Sequence, residues 1–119
     1  MRPSSRRHIV NHIANSTSLD HAFGALAHPV RRGIVERLGR GPATVAAATA
    51  DLGVSKPAIS RHLRVLEDAG LIRREVTGRT HRLSLADGSL EGVLAWLARQ
   101  EAMWQRKFDV IDAYLEERR

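Results

Sequence analysis

A chain of 119 residues, 43% hydrophobic and 27% charged, is one domain's worth of ordinary globular sequence, which excludes wholesale disorder. It has no cysteine, which excludes disulfides and thiolate metal sites, and no apolar run approaches the roughly 18 residues of a membrane span. Nineteen Lys and Arg against 13 Asp and Glu leave a net charge of +6, so the expectation is a cytoplasmic protein with a polyanionic partner and no membrane.

Residues 1–17 are rich in Ser and Arg and read as an N-terminal arm, with Ile9, Val10, Ile13 and Ala14 able to form one amphipathic turn. From Ser18 the periodicity sharpens. Ser18 is placed to cap a helix over 18–27 with Leu19, Ala22, Phe23 and Leu26 on one face. His28-Pro29 breaks that helix, and Pro29 opens the next, whose Val30, Ile34 and Leu38 recur at helical spacing before Gly39 and Gly41 end it. Thr44 caps a short third helix from Val45 to about Asp51, with Val45, Ala48 and Leu52 inward. After the turn at Gly53, Ser55 caps a fourth helix over 56–69, closed by Gly70. Residues 71–85 read as a hairpin through Thr77-Gly78-Arg79, and Ser89 starts a long last helix over 89–117. The predicted fold is mainly α with one β-hairpin.

The charge is not evenly spread. Residues 56–82 hold seven basic against three acidic side chains, whereas residues 83–119 hold five basic against seven acidic. Four of the five aromatics (Trp96, Trp104, Phe108 and Tyr114) fall in the last quarter, and none interleaves with the basic middle. Single strands are gripped by stacking bases on aromatic rings, so a duplex is the better fit to this pattern.

The span Thr44 to Leu66 has the layout of a helix-turn-helix. In its second helix Ile59, Leu63 and Leu66 form the inward stripe, which leaves Lys56, Pro57, Ser60, Arg61 and Arg64 on the opposite face near the N-terminus. Arginines at that end can reach guanine edges or phosphate, Ser60 permits close approach, and Ser55 with the helix dipole suits a phosphate. The hairpin adds Arg73, Arg74, Arg79 and Arg82 beside it, as a winged variant would. His62 lies beside the stripe and reads as a packed histidine rather than a base reader.

The last helix carries Leu90, Leu94, Leu97, Trp104, Phe108, Ile111 and Leu115 in one row, with Val93, Trp96, Met103, Val110 and Tyr114 in a second. So broad an apolar arc exceeds what the remaining short elements can cover, and a homodimer interface that includes Phe23 is the economical reading.

The runs "ALAHPVRRGIVERL", "GPATV" and "LGVSKPAISRHLRVLEDAGLIRREVTGRTHRLSL" resemble the ArsR/SmtB family of winged helix-turn-helix repressors over about residues 19–117. The resemblance implies a homodimeric repressor on an imperfect inverted repeat, with Ser55, Lys56, Ser60, Arg61, Arg64 and Arg79 facing DNA. The chain departs from the family's metal sensors. Val45 to Ala48 stand where some carry a cysteine pair, and residues 89–119 contain no histidine for a last-helix zinc site. No metal or other cofactor is therefore expected, and the inducer is unknown. His8 and His12 have a metal-compatible spacing without the accompanying glutamate of zinc hydrolases. No catalytic constellation stands out. Two other readings stay open: a ligand- or metal-responsive sensor of the same fold, and a winged-helix module for protein–protein contact.

Overall fold

The computed structural model describes residues 18–118; the predicted arm, its His8–His12 pair and Arg119 lie outside the described residues. Five helices and three strands follow in the order α1 (residues 18–26), α2 (Pro29–Leu38), β1 (Ala43–Thr44), α3 (Val45–Ala48), α4 (Lys56–Asp68), β2 (Ile72–Thr77), β3 (Thr80–Leu85) and α5 (Glu91–Glu117). The strands form one antiparallel sheet of order β1-β3-β2. Its hairpin register runs from Ile72 opposite Leu85 to Thr77 opposite Thr80.

The helix ends are set by local chemistry. His28 caps α2, its Nδ1 accepting the Val30 N–H at 3.1 Å, and Pro29 stands at a first-turn position where a missing N–H costs nothing. Thr44 and Ser55 cap α3 and α4 as expected, accepting the Ala47 and Ala58 N–H groups at 3.2 and 3.3 Å. At the far end of α4, Gly70 has φ +74°, and paired bonds run from Gly70 N to Glu67 O and from Leu71 N to Leu66 O. This is the Schellman closure, completed by burial of Leu66 and Leu71 in the same cluster.

Several details depart from the sequence reading. Helix α3 stops at Ala48: Thr49 is its C-cap, donating to Val45 O from both its N–H at 3.0 Å and its hydroxyl at 2.7 Å, and Asp51 takes a positive φ. Ser89 does not cap α5: that position falls to Leu90, which makes no side-chain cap bond, after a turn in which Glu91 N bonds to Gly88 O. Ser18 is already helical within α1, so it is not an N-cap.

The core unites Ala22 and Ala25 of α1, Ile34 and Leu38 of α2, Ala48 of α3, Leu63 and Leu66 of α4, and Leu71, Ile72 and Leu83 of the hairpin and its approach. Val30, Val45, Leu52 and Ile59 pack around it, so the stripes expected for α2, α3 and α4 all turn inward. Burial of these stripes, rather than helix propensity, holds the short helices in place. No helix among the described residues is long and apolar enough to cross a membrane.

Candidate nucleic-acid interface

The inward stripe of α4 fixes which residues it shows to solvent. With Ile59, Leu63 and Leu66 turned into the core, Lys56, Pro57, Ser60, Arg61 and Arg64 are all exposed on the outer face. They occupy the N-terminal two-thirds of the helix, the end whose free N–H groups and dipole favour an anion. Ser55, also exposed, already accepts from Ala58 N, and its hydroxyl hydrogen remains free to donate. Ser55→Ala should remove the cap and destabilise the protein by about 1 kcal/mol, read as a lower midpoint in urea with an unchanged slope.

The hairpin is built to project. Gly78 takes φ +63° at the first position of the two-residue loop, as a tight hairpin requires, and presents exposed Arg79 at the tip. Strand alternation puts Arg73 on one face with Glu75 and Arg82, all exposed. Arg74 lies on the other face and is engaged. Its guanidinium grips both Glu67 oxygens, at 2.7 and 3.2 Å, and reaches His81 Nδ1 at 3.1 Å. The Glu67–Arg74 pair ties β2 to α4. Sequence reasoning grouped Arg74 with the free arginines; nothing local signals the pairing, because Glu67 sits on the far side of the Gly70 turn.

The family described as "Helix-turn-helix domain" matches residues 26–75, which spans α2 to the middle of β2. The HTH-type transcriptional regulator Rv2034 of Mycobacterium tuberculosis is 42% identical over 89 residues, covering 75% of this chain and 80% of that protein. The transcriptional repressor SdpR of Bacillus subtilis is 30% identical over 79 residues, covering 66% of this chain and 88% of that protein. A crystal structure of an ArsR family transcriptional regulator, RHA00566, superposes with a TM-score of 0.71 at 37% identity, covering 76% of this chain and 93% of that one. The chain belongs to the ArsR family of winged helix-turn-helix transcriptional regulators.

As in any ArsR-family regulator, the chain's task is DNA binding rather than catalysis. Among the described residues no three His, Cys, Asp or Glu side chains gather as a metal site would need. What the fold adds to the basic face is an uncovered apolar one. Along α5, Leu94, Leu97, Trp104, Phe108 and Ile111 are exposed, together with Trp96, Met103, Val110 and Tyr114 of the second row. Phe23 of α1 meets Trp96 edge to face at 5.7 Å and 78°, which seats α1 against the first turns of α5 and continues the same surface. Leu90, placed by the sequence in this row, is half-buried and packs on the chain's own core.

His62 sits on the flank of α4 between the buried stripe and the outer face; it is half-buried rather than packed in the core. Burial, followed by the charges of His28, Arg31 and Arg61, holds its imidazole below the ordinary 6.5. The folded protein therefore takes up that proton less readily than the unfolded chain, and stability falls as pH drops below 6.5.

Proposed function

We propose that the protein is a homodimeric repressor that binds an inverted-repeat operator, with α4 in the major groove and the β2–β3 hairpin as the wing. The observation that carries this is the exposed set Lys56, Pro57, Ser60, Arg61 and Arg64 on the one helix whose opposite face anchors the core. In this reading Arg61 and Arg64 meet base edges, Ser55, Lys56 and Arg73 meet phosphates, and Arg79 at the wing tip meets the backbone or minor groove. Arg74 holds the wing at its angle instead of touching DNA. The repressor assignment is supported by the likeness to SdpR. The dimer is supported by the apolar surface of α5 and Phe23, with Leu94, Leu97, Trp104, Phe108 and Ile111 at its centre. A large exposed apolar patch is how a soluble chain marks an interface. A two-fold dimer places its recognition helices about one helical turn apart, or a multiple of it, and so calls for a pseudo-palindromic site. The reading places the protein in the cytoplasm with the chromosome.

Fluorescence anisotropy against fragments of the gene's own upstream region, with unrelated duplex as reference, tests the reading. Selective binding by the wild-type protein is expected at moderate salt. Arg61→Ala and Arg64→Ala should each cost about 1–3 kcal/mol on the preferred duplex and relax its preference at one position per half-site. Arg79→Ala should weaken all duplexes alike and flatten the salt dependence by up to about one unit of slope for each protomer. Binding that ignores all three substitutions contradicts the assignment of the face.

A further inference from the structure

Where α1, the start of α2 and the flank of α4 meet, His28, Arg31 and His62 form a cluster of charged and titratable side chains that DNA contact does not use. Arg31 is its hub. Its Nε donates to Ala25 O at 2.7 Å and its Nη2 to Gly24 O at 3.2 Å, both carbonyls at the C-terminal end of α1. Its Nη1 lies 3.1 Å from His62 Nδ1. A guanidinium has donors only, so His62 Nδ1 must accept, and the neutral ring carries its hydrogen on Nε2. The His28 ring packs against that of His62, with centroids 4.4 Å apart and a tilt of 48°, while its own Nδ1 accepts from Val30 N. The groups facing His62 are thus His28 and Arg31 from the start of α2 and Arg61 from its own helix. Among the described residues none of the four makes an ion pair with a carboxylate.

We propose that Arg31 and His62 form a proton-sensitive tie that seats the recognition helix against α1, and that protonating His62 opens the tie and lowers sequence-selective DNA binding. The inference rests on the reading of α4 as the recognition helix. Once Nδ1 carries a proton it cannot accept from Arg31, and two cations then face each other at hydrogen-bond distance. The bonds from Arg31 to Gly24 O and Ala25 O do not depend on that proton, so the α4 end is the one that lets go. Base readout requires a fixed helix, whereas phosphate attraction does not and gains from an added positive charge. Selectivity should therefore fall while binding to unrelated duplex does not. Arg31 and His62 act as positioning residues, linking the helix at the apolar face to the helix at the basic face.

The test uses the full chain and a duplex enriched by the protein from a random-sequence library at about pH 7.5, with an unrelated duplex of equal length as reference. Anisotropy at about pH 7.5 and about pH 5.5 brackets the histidine range. The ratio of the two affinities should fall about tenfold on acidification, the worth of one hydrogen bond with a charged partner. In His62→Gln the amide oxygen accepts from Arg31 at both pH values and cannot be protonated, so most of the pH dependence should vanish. Arg31→Gln should give the low ratio at both. Nitrogen-15 spectra of the rings give a readout independent of DNA: His62 should be the Nε2–H tautomer, with a midpoint below 6.5 that rises in Arg31→Gln. Should Arg31→Gln fail to fold, His62→Gln and the wild-type ring titration carry the test. A library that enriches no duplex refutes the recognition reading and the inference with it. Enrichment followed by no loss on acidification, or by an equal loss in His62→Gln, overturns the inference alone, as does an Nδ1–H tautomer.

Discussion

Replacing Trp104 and Phe108 together by Glu should leave the protomer folded, dissociate the proposed dimer and lower affinity for the preferred duplex by about a hundredfold or more. The two side chains are 60% and 58% exposed in the single chain, so the protomer's own core has almost nothing invested in them. Substitutions at such positions usually change stability by no more than about 0.5 kcal/mol. At the centre of an interface the same residues count for much more. Truncating an aromatic anchor there costs about 2–4 kcal/mol, and a carboxylate left in an apolar seam adds its desolvation. On the proposed reading a lone protomer offers one recognition helix and loses the second half-site, so DNA affinity should follow dimerisation. Sedimentation equilibrium reads the assembly and anisotropy reads the affinity. A double variant that stays dimeric would place the interface elsewhere on the molecule.

The second large effect concerns the other face of α4. Leu66→Ala should destabilise the fold by about 3 kcal/mol, within the range of about 2–5 kcal/mol for emptying a leucine site in a rigid core. Leu66 is 0% exposed and belongs to the cluster that includes Ile34, Leu63, Leu71 and Leu83. It also supplies the carbonyl and the apolar contact of the Schellman closure at Gly70, so the cavity opens where α4 hands over to the hairpin. A domain of this size has about 5–15 kcal/mol in all, and the melting temperature should fall by roughly 10–25 °C at fixed protein concentration. Thermal unfolding followed by circular dichroism measures it. A drop of only a few degrees would mean that neighbouring side chains collapse into the vacated space.

Much of this was legible in the sequence because the informative signals are local. The stripe Ile59, Leu63, Leu66 fixes both faces of α4 at once, the caps Thr44 and Ser55 mark helix starts, and Gly70 and Gly78 stand where left-handed backbone is required. What escaped has no local signature. Strand β1 is two residues long, too short for any period, and exists because Ala43 and Thr44 pair with Leu83 and Arg82 of β3. Arg74 and Glu67 meet only because the chain reverses between them, and Arg31 and His62 meet across 31 positions of sequence. Ser89 has the residue type of a cap, yet the turn through Gly88 shifts the helix start past it. In the site itself the exposed residues of α4 follow from periodicity, while the two ties that hold α4, one to the wing and one to α1, required the fold.

Selection from a random-sequence duplex library, followed by mass measurement of the protein bound to the enriched duplex, reads both the symmetry of the operator and the number of protomers on it. An inverted repeat with half-sites about one helical turn apart, or a multiple of it, occupied by two protomers, is expected. Enrichment of a single unrepeated site bound by one protomer, or no enrichment over the starting library, would contradict it.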